Sequence, residues 1–152
     1  MESELQTKDL NHLGIVAGMF DELGLESKLN ELLDTDGCHR EVSLGLIIKA
    51  LVLNGLGFNQ RTLYMASSFF EDKPIEVLLS SDIKASQLND TVLGRGLDAI
   101  HKYGCTVLYS QLVPQIIHTL DLNIKSAHMD STDFHLEGRY NAGLTDISQH
   151  YL

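Results

Sequence analysis

Asp130 is the side chain of this sequence that is best placed for chemistry. It lies in residues 124–140, where polar and apolar residues alternate as they do in two half-buried β-strands. Ser126, His128 and Asp130 would share one face of the first strand, because successive side chains of a strand point to opposite faces. Phosphoryl transfer by two metal ions needs several carboxylates around Mg²⁺, and a strand holds a carboxylate rigidly. Asp130 is therefore a candidate metal ligand. The alternative is a solvated aspartate that accepts hydrogen bonds from backbone amides at a turn.

Other side chains are weaker candidates for a metal site. Mg²⁺ prefers oxygen ligands, so a structural histidine is the simpler interpretation of His128. His135 and Glu137 would face Asp130 only if the turn has two residues, because a one-residue slip in register moves them to the opposite face. Cys38 directly precedes a histidine, but no second Cys/His pair lies nearby in the sequence, which favours a polar loop over zinc.

Phosphate binding is the second type of chemistry to consider, and it would need basic side chains on one surface. The formal net charge of the chain is −10 at pH 7, which disfavours non-specific binding to nucleic acid. Most of the acidic excess lies in residues 2–41, so a local basic surface remains compatible with the sequence. The alternative is a solvated surface of mixed charge. The candidates for a DNA-facing surface are Arg61, Lys73, Lys84, Arg95 and Lys102.

The elements that would position these residues are mainly helices. The most apolar stretch follows Ser43, a predicted N-cap, and is apolar on nearly all sides, which predicts a buried central helix. A later helix, capped by Asn89 or Asp90, contains Gly94 and Gly96, which cost about 1 kcal/mol each and indicate close helix packing. The predicted fold class is mainly α, a multi-helix bundle over residues 1–122 followed by a C-terminal β-hairpin and tail over residues 123–152.

Length and composition are those of one folded domain. The chain has 152 residues, of which 43% are hydrophobic, so it can bury a real core. Cys38 and Cys105 show no Cys-x-x-Cys spacing and are read as reduced thiols. No apolar run reaches the roughly 18 residues of a membrane span, and the acidic N-terminus is unlike a signal peptide. These features favour a cytoplasmic protein.

Two parts of the sequence together resemble a known family. The motif His128-Met-Asp130-Ser-Thr132, followed by a strand that runs to Tyr140, resembles the opening hairpin of the ribonuclease-H-like core of DDE transposases. Residues 44–79 and 88–100 resemble the helical domain that precedes this core in one branch of bacterial insertion-sequence transposases. The resemblance covers residues 13–140. It implies the N-terminal portion of such a transposase, in which Asp130 matches the first acidic residue of the catalytic triad.

The same resemblance implies that the catalytic core is incomplete. The second Asp and the final Glu of the triad, with the remaining strands, would lie downstream of Leu152. One carboxylate cannot hold two metal ions, so we expect no enzymatic activity and no required cofactor, with Mg²⁺ needed only in an intact homologue. The expected function is a truncated transposase-like protein that binds DNA ends, dimerises or regulates. The alternative is a non-enzymatic helical module for protein–protein interaction.

The predicted hairpin also carries an expectation about partners. Two strands alone are marginally stable in water and leave unpaired edges. The hairpin would therefore pack on the helices, or pair with a second copy or another protein, and we expect a homodimer or a swapped hairpin. DNA is the other expected partner, and a membrane is not.

Overall fold

The computed structural model describes residues 7–35, 37–57 and 62–126. These ranges contain seven α-helices, two short 3₁₀ turns (Leu63–Met65 and Ala85–Gln87) and no strand. The predicted class, mainly α, is therefore confirmed for this part of the chain. The helices are α1 (Leu13–Glu22), α2 (Leu25–Leu33), α3 (Leu44–Leu56), α4 (Ala66–Glu71), α5 (Ile75–Leu78), α6 (Asp90–Tyr103) and α7 (Cys105–Thr119).

The predicted hairpin falls almost wholly outside the described residues. Residues 124–126, at its predicted start, are described and form neither helix nor strand. Residues 127–140, with Asp130, lie beyond the described ranges. The hairpin therefore stays a prediction.

Helix α3 is the centre of the bundle, as its apolar sequence predicts. The Ser43 hydroxyl oxygen accepts a hydrogen bond from the amide of Leu46 at 3.2 Å and so caps the helix. Ala50 and Leu53 are completely buried. Helices α1, α2 and α6 all pack against α3. Helix α3 supplies more buried apolar side chains to the core than any other described helix, and each large one contributes roughly 1.5–3 kcal/mol.

Two glycines allow α2 and α6 to approach α3 closely. A Cβ atom at Gly45 would lie 2.4 Å from the Glu26 carbonyl oxygen of α2, and one at Gly96 would lie 2.5 Å from Cγ2 of Ile47. The predicted close packing is therefore correct for Gly96. It is wrong for Gly94, where an added Cβ would meet no atom within 4 Å because that side of α6 is open.

A buried lysine joins α3 to α1. The Lys49 side chain is only 1% exposed, yet its Nζ lies 2.6 Å from Oδ1 of Asp21, whose side chain is 54% exposed. The same Nζ lies 5.9 Å from the ring centroid of Phe20. The hydrocarbon stem of Lys49 is thus part of the core, while the ammonium group reaches an anion at the rim of the bundle.

Helix α7 is attached to the bundle along a narrow contact. Leu108 is its buried residue and Leu112 packs partly against the core. The Gln115 side-chain amide donates a hydrogen bond to the Leu23 carbonyl at 2.9 Å, next to the turn between α1 and α2. The apolar pattern predicts this helix over residues 107–120, but it begins two residues earlier, since Gly104 adopts φ 96° and lets the chain turn directly out of α6. It continues through Pro114.

The lengths and composition of the described helices also bear on membranes. Within residues 7–35, 37–57 and 62–126, no helix is both long and apolar enough to cross a lipid bilayer.

Candidate nucleic-acid interface

Two of the predicted DNA-facing residues lie together on α6. Arg95 and Lys102 are both exposed and are seven residues apart, so they share one face of the helix at about 10 Å along its axis. Both line a cleft of about 410 Å³. The opposite wall is formed by the end of α2 and the loop that leads into α3, through Leu33, Thr35, Arg40 and Leu44.

Arg40 adds a third cation that the sequence pattern does not predict. Its Nη1 atom donates to Oδ1 of Asp34, and it donates at 3.3 Å to the Cys38 carbonyl oxygen. These bonds brace the loop across the cleft from α6. No periodicity in the sequence relates residue 40 to residue 95, so the packing of α2 and α3 against α6 is what brings the two arginines to one site.

A second concavity, of about 340 Å³, continues on the other side of the same two arginines. Arg40 and Arg95 line both concavities. His39 and Glu41 line the second one, together with Gln87 and Asn89 from the approach to α6. We refer to the two concavities, with Arg40 and Arg95 between them and Lys102 at one end, as the α6 groove.

The α6 groove holds cations that are available to an external anion. Within the described part of the chain, neither Arg95 nor Lys102 makes an ion pair. Asp98 lines the cleft between them, three residues after Arg95 and four before Lys102. Its carboxylate weakens the local positive potential. With Asp34 paired to Arg40 and Glu41 at the second concavity, three carboxylates balance the three cations of the groove, in a chain whose overall charge is −10.

Lys84 and Lys73 are placed differently. Lys84 precedes the Ala85–Gln87 turn, and its backbone amide donates at 2.8 Å to the side-chain oxygen of Gln87, a residue of the groove. Lys73 lines a separate concavity beside Glu71 and Asp72, and its Nζ lies 5.9 Å from the Phe69 ring centroid. The structure therefore does not bring Lys73 to Arg95. Arg61 lies outside the described residues.

The described residues do not assemble a metal site. Across residues 7–35, 37–57 and 62–126, no group of three or more His, Cys, Asp or Glu side chains is close enough to hold a metal ion. Cys38 and Cys105 are both exposed and are not joined by a disulfide. Asp130, the candidate metal ligand, lies outside the described residues and remains a prediction. The described arrangement places long basic side chains along a groove.

Comparison with known proteins places the chain in a family. No curated protein and no solved structure matches it. Residues 5–114 match a family model described as a domain of unknown function, DUF4277. The match begins before α1, ends within α7 and includes every residue of the α6 groove. Because it covers more than half of the 152 residues, the chain belongs to the DUF4277 family.

Proposed function

We propose that this domain binds nucleic acid through the α6 groove and carries out no chemistry of its own. The observation that carries the proposal is the pair Arg95 and Lys102, two exposed cations without an ion pair among the described residues, on one helix face of an otherwise acidic chain. Arg40 faces them across the cleft. Cations of this kind bind backbone phosphates and release condensed counterions, which is the main source of sequence-independent affinity.

Duplex DNA is the nucleic acid we favour. The resemblance of residues 13–140 to insertion-sequence transposases supports this choice, because it implies a helical domain placed ahead of a catalytic core. In that proposal the chain is transposase-like and binds DNA ends. Two cations without an ion pair, with an aspartate between them, supply only a modest attraction, so we expect an affinity on the order of that of non-specific binding, 10⁻⁴–10⁻⁶ M.

A salt series with a short duplex tests the proposal. The logarithm of the binding constant should fall with the logarithm of salt concentration with a slope of about −2, because Arg95 and Lys102 would neutralise two phosphates. Arg95→Ala or Lys102→Ala should each reduce that slope by about 1. Fluorescence anisotropy of a labelled duplex measures both quantities.

The matched control is Lys73→Ala, which removes the same charge from a lysine outside the α6 groove. It should leave the slope unchanged. An absence of binding at low salt would contradict the proposal, as would a loss for Lys73→Ala as large as the loss for Lys102→Ala.

A second candidate function is a module for protein–protein interaction. The observation that favours it is a set of exposed large apolar residues on α7 and in the segment that follows it: Tyr109, Leu120, Leu122 and Ile124. Exposed apolar residues that gather into a patch are a common mark of an interaction site. It is separate from the α6 groove, so the two functions are compatible.

A further inference from the structure

Helix α7 carries an apolar stripe that is only partly covered. The stripe consists of Tyr109, Val113, Ile116 and Leu120, and we call it the α7 stripe. Tyr109 is 68% exposed and Leu120 is also exposed, while Val113 and Ile116 are half-buried. The residues by which α7 meets the bundle, Leu108, Leu112 and Gln115, lie on a different side of the helix.

The spacing of the α7 stripe fits a second helix. Its members follow one another at intervals of four, three and four residues, which is the spacing of one seam in a pair of packed helices. The spacing is also symmetric about the middle of the stripe. An antiparallel copy of α7 would therefore place Tyr109 opposite the partner's Leu120, and Val113 opposite the partner's Ile116.

The charge of the helix indicates what kind of partner fits. No Asp, Glu, Lys or Arg occurs in Cys105–Thr119, although the chain as a whole carries −10. A basic partner would be attracted to the acidic surface elsewhere, not to this helix. Two copies of the chain, by contrast, repel each other through their acidic surfaces. This repulsion is weakest at a surface without charged residues.

We propose that α7 pairs in antiparallel orientation with α7 of a second copy through the α7 stripe, in an isologous two-fold dimer. A helix of 15 residues is about 22 Å long, so the interface is shorter than that of a standard stable complex. The dissociation constant of the dimer should be on the order of micromolar. This dimer does not depend on the α6 groove or on the predicted hairpin.

Sedimentation of the full chain over a concentration series tests the dimer. Tyr109→Glu should weaken dimerisation about tenfold or more, since it places a charge in the seam at a position that is exposed in the single chain. Gln111→Glu is the matched control, because it adds the same charge to the same helix at an exposed position outside the α7 stripe; it should change dimerisation by less than about twofold. Added salt should strengthen the dimer by screening the repulsion between two acidic chains.

Two results would overturn the proposal. One is a wild-type chain that stays monomeric at the highest concentration. The other is a Tyr109→Glu variant that dimerises as the wild type does, which would place the contact elsewhere in the chain.

Cysteine cross-linking gives an independent measurement of orientation. Both native cysteines are exposed and are first replaced by serine. A mixture of Val113→Cys and Ile116→Cys chains should then form more disulfide-linked dimer than either chain alone. Cross-linking of Val113→Cys chains alone that equals or exceeds the mixture would contradict the antiparallel arrangement.

Discussion

Gly94 and Gly96 show how two identical residues in one helix have different roles. At Gly96 an added methyl group would meet Ile47, a buried β-branched side chain with little freedom to move. At Gly94 it would meet nothing within 4 Å. Each glycine lowers the stability of the helix by a similar amount, and only the packing of α6 on α3 distinguishes the two positions.

This difference predicts opposite effects for the same substitution. Gly96→Ala should destabilise the fold by about 1–3 kcal/mol through overpacking. Gly94→Ala should stabilise it by up to about 1 kcal/mol, since alanine is the better helix former and the site is open. Urea unfolding followed by circular dichroism compares the two variants. Equal stability of the two would show that α6 does not pack on α3 as described.

Asp98 is the residue that moderates the charge of the α6 groove. Asp98→Asn removes a negative charge between Arg95 and Lys102 and should raise affinity for a DNA duplex about two- to fivefold at low salt. The control is Glu22→Gln, which makes the same charge change at the end of α1 and should have a smaller effect. Equal gains from the two variants would mean that only net charge matters and that the groove is not the site of binding.

Among the elements, α1 and α3 are joined by an ion pair at the rim of the core. Asp21→Ala leaves the ammonium of Lys49 without its anion and should destabilise the fold by about 1 kcal/mol, because the exposed carboxylate is partly replaced by water. Lys49→Met keeps the packed stem and removes the charge, so stability should be equal to or higher than that of the wild type. Urea midpoints compare the variants, and a larger loss for Lys49→Met than for Asp21→Ala would contradict this explanation.

Helices that have an apolar run and a capping residue could be predicted from the sequence. The way in which the helices pack against each other could not. The apolar run and the Ser43 cap specify α3, and Asn89 accepts a hydrogen bond from the Val92 amide as the predicted cap of α6. The apolar pattern of residues 61–70 predicts one helix, whereas the chain forms a 3₁₀ turn, Leu63–Met65, followed by the short α4. The α6 groove could be predicted only in part. Arg95 and Lys102 share a helix face by spacing alone, whereas Arg40 reaches them through tertiary packing.

At the scale of the whole molecule, the two proposed surfaces respond to salt in opposite ways. Binding of DNA at the α6 groove should weaken as salt rises, because counterions released into a more concentrated salt solution gain less entropy. Pairing of two acidic chains through the α7 stripe should strengthen, because their repulsion is screened. In a chain of net charge −10, a polyanion should therefore bind at a local surface that carries basic residues. Two copies should associate at a surface that lacks charged residues.

The most direct test of the central claim is to map where DNA contacts the protein. The chain has a mass of 16.9 kDa, which suits amide chemical-shift mapping by NMR during titration with a short duplex at low salt. If DNA binds in the α6 groove, the largest changes in amide chemical shift should fall in residues 34–44 and 86–103, with little change in α1 and α7. Shifts that concentrate on α1 or α7, or no shifts at a duplex concentration well above the expected dissociation constant, would contradict it.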